Sequence, residues 1–362
     1  MKQMTKYRKN VKVFFSLGCI IAVTFMIGYW FYKFEIEDRD IGVVDFVPID
    51  EGTAIKLPFA TLCLINPFLD EKLRKIAPNV TKNSYLRYFQ GELYDQRLEN
   101  IDYNDVTIDL GDYFLYADDR WRNQSSYRKT SLLITHKEIF SGFYFKDFVK
   151  CFALMFGMEN NQYLQRIRFH YDLRRLISDW RPDLMNTNQS TTLKIYYKIH
   201  YPGNFLIGEY PKYFELRGKF HSAYIRGIEL LKRRNTKKKR CLKENNRYDS
   251  MVFENHLSAK GCRTPYILSN KAIPLCDTSS KMKNGLLRYT QANSFNIPKS
   301  CERIAKMTRK DFFKDESPNY DMSWNFMIAY PDEFKVIMQA KEVDVHTLIG
   351  NIGGYLGLFL GR

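Results

Sequence analysis

Val13 to Tyr32 is a run of twenty residues without a charged side chain. As a helix it rises roughly 30 Å, the thickness of a bilayer's hydrocarbon core. Tyr29, Trp30 and Tyr32 crowd its outer end in the manner of an interfacial aromatic belt, and Lys2, Lys6, Arg8, Lys9 and Lys12 precede it with no acidic residue among the first twelve. The pattern predicts a membrane anchor over 13–32 with a cytoplasmic tail over 1–12. A cleavable signal peptide would end in a small-residue site, which Ile27-Gly28-Tyr29-Trp30 does not offer.

A second uncharged stretch, Thr347 to Gly361, lies at the other end, with Gly353, Gly357 and Gly361 spaced four apart. Glycines at that spacing reduce one helical face to backbone, which is how membrane helices approach closely. Its fifteen residues give about 22 Å of helix, short of a full crossing. The expected organisation is a cytoplasmic tail (1–12), a membrane helix (13–32), an extracellular domain (33–346) and the incomplete start of a second membrane helix (347–362).

Placed outside the cytoplasm, the cysteines are read as oxidised. Setting aside Cys19 in the first apolar run leaves Cys63, Cys151, Cys241, Cys262, Cys276 and Cys301, an even set that spacing alone leaves open to 15 pairings. Asn79, Asn123 and Asn188 head glycan acceptor triplets.

The net charge of +16 is concentrated rather than spread. Five cations sit in the first twelve residues and seven in Lys232-Arg233-Arg234 and Lys237-Lys238-Lys239-Arg240, together three quarters of the excess. That distribution argues against a nucleic-acid partner, and the basic run reads as a solvated loop, since like charges repel and stay exposed.

Leu193, Ile195, Tyr197, Ile199 and Tyr201 alternate with polar or outward residues up to Pro202-Gly203, which predicts a half-buried strand. Phe214 to Leu230 predicts one or two more strands. Leu164, Ile167, Tyr171, Leu173, Leu176 and Ile177 approximate helical spacing over Gln162 to Trp180, and Ile304, Met307 and Phe312 do so over Cys301 to Phe313, so a helix is expected in each. The fold class is α+β.

Catalytic chemistry is not expected. His136, His170, His200, His221, His256 and His346 are scattered without metal-ligand spacing and read as surface or strand residues. There is no nucleophile elbow or phosphate loop, no cofactor is implied, and the one Asp-x-Asp pair, Asp38-Arg39-Asp40, abuts the anchor where it would not line the pocket of a membrane-anchored Golgi transferase.

Leu57-Pro58-Phe59-Ala60-Thr61-Leu62-Cys63-Leu64-Ile65-Asn66-Pro67-Phe68 follows the first apolar run, and Gly350-Asn351-Ile352-Gly353-Gly354-Tyr355-Leu356-Gly357-Leu358-Phe359-Leu360-Gly361 opens the second. The two resemble the signatures at the corresponding ends of the degenerin/epithelial sodium channel family. Lys150-Cys151-Phe152 and Gly261-Cys262-Arg263-Thr264-Pro265-Tyr266 resemble internal motifs of the same family, while 72–146 matches none.

The resemblance implies a trimer of two-helix subunits in the plasma membrane. Each would carry a disulfide-linked extracellular domain with a β-sheet palm and helical finger and thumb, conducting sodium and blocked by amiloride, with related subunits as partners. It also implies bridges Cys63–Cys151, Cys241–Cys301 and Cys262–Cys276. Gly350 falls at the position where a small residue lets the pore helices close, and Gly357 and Gly361 fall on the pore and filter entrance. The family's cytoplasmic His-Gly motif is absent and Arg362 stands at the middle filter position, so a shortened form of a channel subunit is expected. The alternatives are a non-conducting regulatory subunit, a ligand-binding ectodomain, or the anchored enzyme.

Overall fold

The computed structural model describes residues 2–37, 40–48, 57–93, 98, 101–121, 125–157, 164–182, 193–207, 211–216, 220–236, 239–243, 247–267, 273–289, 297–314 and 323–360. Asn123, Asn188 and Gly361 lie outside them. The chain divides into two compact units, Met1–Val44 with Ile337–Arg362, and Asp45–Val336.

The first unit is built on two helices, α1 (Lys2–Phe31) and α7 (Val345–Leu360), which pack together. α1 continues through the π-helical turns Tyr32–Glu37. Val11–Ile36, 26 residues, is long and apolar enough to cross a membrane, and among the described residues it is the one such helix. Its side chains turn outward, Phe14 being 73% and Phe25 74% exposed, as suits a surface solvated by lipid rather than water. At its C-terminal end Lys33 lies over the rings of Tyr29 and Trp30 and pairs with Glu342 at 3.8 Å, so aromatic rings and charge gather there. β1 (Asp40–Pro48) and β13 (Glu333–Lys341) pair as neighbours.

The second unit is mostly sheet. Five strands run in the order β5 (Ile134–Tyr144), β6 (Asp147–Phe156), β2 (Phe59–Ile65), β8 (Leu193–His200) and β9 (Lys212–Leu216), every neighbour antiparallel. A second sheet continues from β13 through β10 (Phe220–Lys232), β12 (Ser323–Ala329), β7 (Leu164–Asp172), β3 (Phe114–Trp121) and β4 (Arg128–Lys129), with β11 (Glu302–Lys314) also paired to β10. β10 and β12 are parallel.

One buried cluster draws on both sheets, with Ala60, Leu62 and Leu64 joining Phe169, Tyr171, Trp324 and Phe326. A second lies on the far side of β2. There Cys63, Phe68, Phe148 and Tyr266 meet the short helices α2 (Asp70–Ile76), α3 (Lys82–Phe89), α5 (Tyr248–Lys260) and α6 (Ser279–Asn284). Rings are its main material: Phe68 and Phe148 stack at 5.5 Å, and Phe89 meets Tyr266 edge-on at 5.3 Å. Helix α4 (Leu173–Trp180) follows β7 directly.

Three disulfides close the unit, and the pairs are those the resemblance implies. Cys63 and Cys151 stand directly opposite on β2 and β6, Cys241 joins Cys301, and Cys262 joins Cys276.

Two helix expectations are corrected. Within the expected helix Gln162–Trp180, whose first two residues lie outside the described ones, Leu164–Asp172 is strand β7 and Leu173–Trp180 is helix α4, and the Asp172 carboxylate accepts from the Arg175 amide at 3.0 Å as an N-cap. Ile167, Phe169 and Tyr171 are buried at a spacing of two, so the Ile167–Tyr171 step of four fits a strand as well as a helix, while the Leu164–Ile167 step of three crosses an irregularity in the pairing, where Trp121 opposes Leu164 and Arg120 opposes Arg166. Cys301–Phe313 is strand rather than helix. Leu230 opposes Ile304 and Ile228 opposes Met307, so a bulge places two core-facing residues three apart and imitates a helical step.

The Cys63–Cys151 bridge spans 88 residues. Replacing both cysteines by alanine is expected to lower the unfolding free energy by roughly 3–5 kcal/mol, measured by chemical unfolding of the full chain in detergent. Non-reducing peptide mapping that joins Cys63 to any other cysteine would contradict the fold.

Candidate functional site

The glycine-rich motif forms most of α7. Asp344 opens the helix, its side chain accepting from the Thr347 amide at 2.7 Å and its carbonyl from the Leu348 amide at 2.9 Å. Leu348 is buried and Asn351, Ile352 and Tyr355 are half-buried, a set spaced i, i+3, i+4, i+7 and therefore one stripe. Gly350, Gly353, Gly354 and Gly357 repeat that spacing on exposed positions. At about 100° per residue the two stripes lie on opposite sides of the helix.

A Cβ built on any of these four glycines would meet nothing within 4 Å. The packing face within the chain is thus the Leu348–Tyr355 stripe, whose side chains supply contact area, and the glycine stripe is open. Each glycine costs a helix about 1 kcal/mol relative to alanine in water. No contact within the described chain offsets that cost.

The second unit holds buried charges that sequence patterns did not single out. Lys150 is 3% exposed; its Nζ donates to Thr107 Oγ1 at 2.9 Å, lies 3.4 Å from Glu138 Oε2, and sits over the Tyr103 ring at 5.0 Å. Lys198 Nζ, also buried, donates to the carbonyls of Phe205 and Ile207 and to the Tyr289 hydroxyl. Asp249 accepts from the Phe205 and Leu206 amides at 2.8 and 2.9 Å. Thr107 for Lys150, Tyr289 for Lys198 and the amides for Asp249 come from segments more than forty residues away, so no local pattern marks these groups. Each arrangement satisfies a buried charge, the usual requirement of a stable interior.

His170, His200 and His256 are buried and His136 is half-buried. His200 on β8 bonds the Thr61 hydroxyl at 2.6 Å and the Tyr201 carbonyl at 2.7 Å, and His170 on β7 meets Asp118 at 2.9 Å. His256 is on helix α5, buried against the Gly285 carbonyl, which corrects the expectation of a surface or strand residue. His346 is exposed. Among the described residues no three metal-ligating side chains converge.

A cleft of about 460 Å³ is lined by Phe68, Lys82, Asp147, Trp180, Arg181 and Lys194 among others. Asn79 is exposed just beyond α2, where a glycan would find room.

No family model matches the chain, and no curated protein sequence matches it. Among solved structures, a cryo-EM structure of a proton-activated chloride channel aligns with 99% of this chain and 93% of its own, at 6% identity and a TM-score of 0.32. A likeness of that degree establishes neither a shared fold nor a shared activity.

Burial pushes His200 down to about 3 and His136 down to about 4, against an ordinary value of 6.5. The unfolded chain therefore takes up protons that the folded chain refuses. These groups favour the fold fully above about pH 6.5, and their contribution is lost as pH falls below it. Asp249, raised by burial to about 6 from 3.8, acts in the opposite sense and offsets part of the loss between those two values. Unfolding free energy should therefore fall on acidification from pH 7.5 to 5. A His200→Gln variant should show a pH dependence weaker by on the order of 2 kcal/mol over that interval.

Proposed function

We propose that this chain is a subunit of a trimeric, amiloride-sensitive, sodium-selective cation channel of the degenerin/epithelial sodium channel kind. It acts without catalysis, as a homo- or heterotrimer with related subunits. In this reading α1 crosses the plasma membrane with its amino terminus in the cytoplasm, and the disulfide-linked domain lies outside. The basic first turns of α1, the oxidised cysteines and the exposed Asn79 support that orientation.

The observation that carries the reading is the open glycine stripe of α7, set opposite the covered stripe of the same helix. Lipid gives no hydrophobic drive for helices to associate, so close backbone approach between small residues is what holds and shapes such contacts. A ring of α7 helices with that stripe turned to a common axis would leave Gly350 and Gly357 narrowing the path. The motifs at 57–68 and 350–361 support the same assignment.

Because a Cβ at position 350 meets nothing within 4 Å among the described residues, an effect of adding a side chain there is expected to arise between copies. In oocytes expressing the subunit from its full reading frame, Gly350→Phe is expected to increase amiloride-blocked inward current several-fold. Replacing external sodium by a large organic cation should remove that current. Surface-labelled protein that passes no current, wild type or Gly350→Phe, alone or with related subunits, would overturn the proposal.

A further inference from the structure

The basic run starting at Lys232 plays no part in the helical unit, and the fold treats it in a particular way. β10 and β11 end side by side here. The Arg233 amide donates to the Cys301 carbonyl at 2.7 Å, the Cys301 amide to the Leu242 carbonyl at 2.8 Å, and the Leu242 amide to the Lys299 carbonyl at 3.1 Å. The Cys241–Cys301 bridge fastens the same place.

The turn leading into the bridge is tied as well. Asn235 Oδ1 accepts from the Cys241 amide at 3.3 Å and Thr236 Oγ1 from the Lys239 amide at 3.0 Å. The described part of the basic run is therefore an exposed loop whose ends are hydrogen-bonded beside the disulfide.

Strand register sorts the charges. Leu231 opposes Arg303 and Lys232 opposes Glu302. By the two-residue period, Arg233, Lys299 and Arg303 share the side of the ribbon that carries Cys301. Lys232 and Glu302 take the other side and pair at 3.0 Å.

On the first side no counter-charge appears: among the described residues none of the three cations forms an ion pair. Burial and then the neighbouring cations hold both Arg303 and Lys299 below their ordinary values, so the three lie within one another's field. The Arg303 Nε is buried without a hydrogen-bond partner. A guanidinium N–H shut away from water and unpaired is costly, as is holding like charges together.

We propose that Arg233, Lys299 and Arg303 form a binding site for a sulfate or phosphate group, with the Arg303 Nε–H among its donors. A doubly charged oxyanion supplies acceptors that match the guanidinium fork and cancels the repulsion among the three cations. Free inorganic anion and the sulfate groups of an acidic polysaccharide present the same chemistry.

The test is thermal unfolding and calorimetric titration of the full chain in detergent, with low-millimolar sodium sulfate against sodium chloride at matched ionic strength. Sulfate should raise the melting temperature beyond chloride. Arg233→Met should melt higher than wild type without sulfate and should lose about tenfold or more in sulfate affinity. Lys232→Met, on the opposite side, should keep the full sulfate response. Should Arg303→Met fail to fold, the exposed Arg233→Met and Lys299→Met carry the comparison.

A heparin-derived hexasaccharide binding at least about tenfold tighter than sulfate, with a shallower salt dependence in Arg233→Met, assigns the site to the polymer. Equal binding assigns it to the free ion. A wild-type response no larger than chloride's, or one retained by Arg233→Met and Lys299→Met, would overturn the proposal.

Discussion

Everything in the larger unit is arranged around a strand with no free face. β2 is buried at every position from Phe59 to Leu64. Its alternation sends Ala60, Leu62 and Leu64 into the core shared by the two sheets and Cys63 into the aromatic core beneath the helices. Both edges are also used, by β6 and β8. A polar group there has to be matched, and Thr61 is matched by His200. The cross-strand bridge from Cys63 to Cys151 then fastens β2 to β6 inside the aromatic core. Moving β2 by one residue would exchange its two faces and break all of these relations together.

In lipid, the setting proposed for the helical unit, the governing constraint is different, because apolar exposure is favourable and unpaired backbone is penalised. α1 can display Phe14 and Phe25 outward at no cost. On α7, side chains of moderate size cover the side that packs within the chain, and glycines occupy the other. The division gives the helix two contact surfaces of opposite character. The glycine surface gains little from side chains and is suited to another backbone at close range.

Some of this was legible in the sequence and some was not, for physical reasons. The strand Leu193–His200 was readable because its apolar face, Ile195, Tyr197 and Ile199, is buried throughout, although the other face passes from the exposed Lys194 to the buried Lys198 and His200. β11 was not, since its bulge turns a spacing of two into three between Ile304 and Met307. β7 misled because Ile167 and Tyr171 satisfy both periods and an irregularity sets Leu164 three residues before Ile167, and Asp172 was not recognised as the cap that ends one pattern and begins the next. The disulfide pairs came from the resemblance; spacing alone left them open. Of the candidate site, the glycine spacing was evident, but which stripe the chain would cover depends on α1, hundreds of residues away. The buried Lys150, Lys198 and Asp249 were invisible for the same reason, as their partners converge only in the folded chain.

The central claim is that the glycine stripe of α7 is where copies of the chain meet. It is tested most directly by cysteine cross-linking in intact membranes, with single substitutions Gly353→Cys and Gly357→Cys on the open stripe and Ile352→Cys on the covered one, in a Cys19→Ser background. The account predicts oxidised oligomers from positions 353 and 357 and none from 352. Oligomers from 352 alone, or monomers from all three despite surface expression, would contradict it.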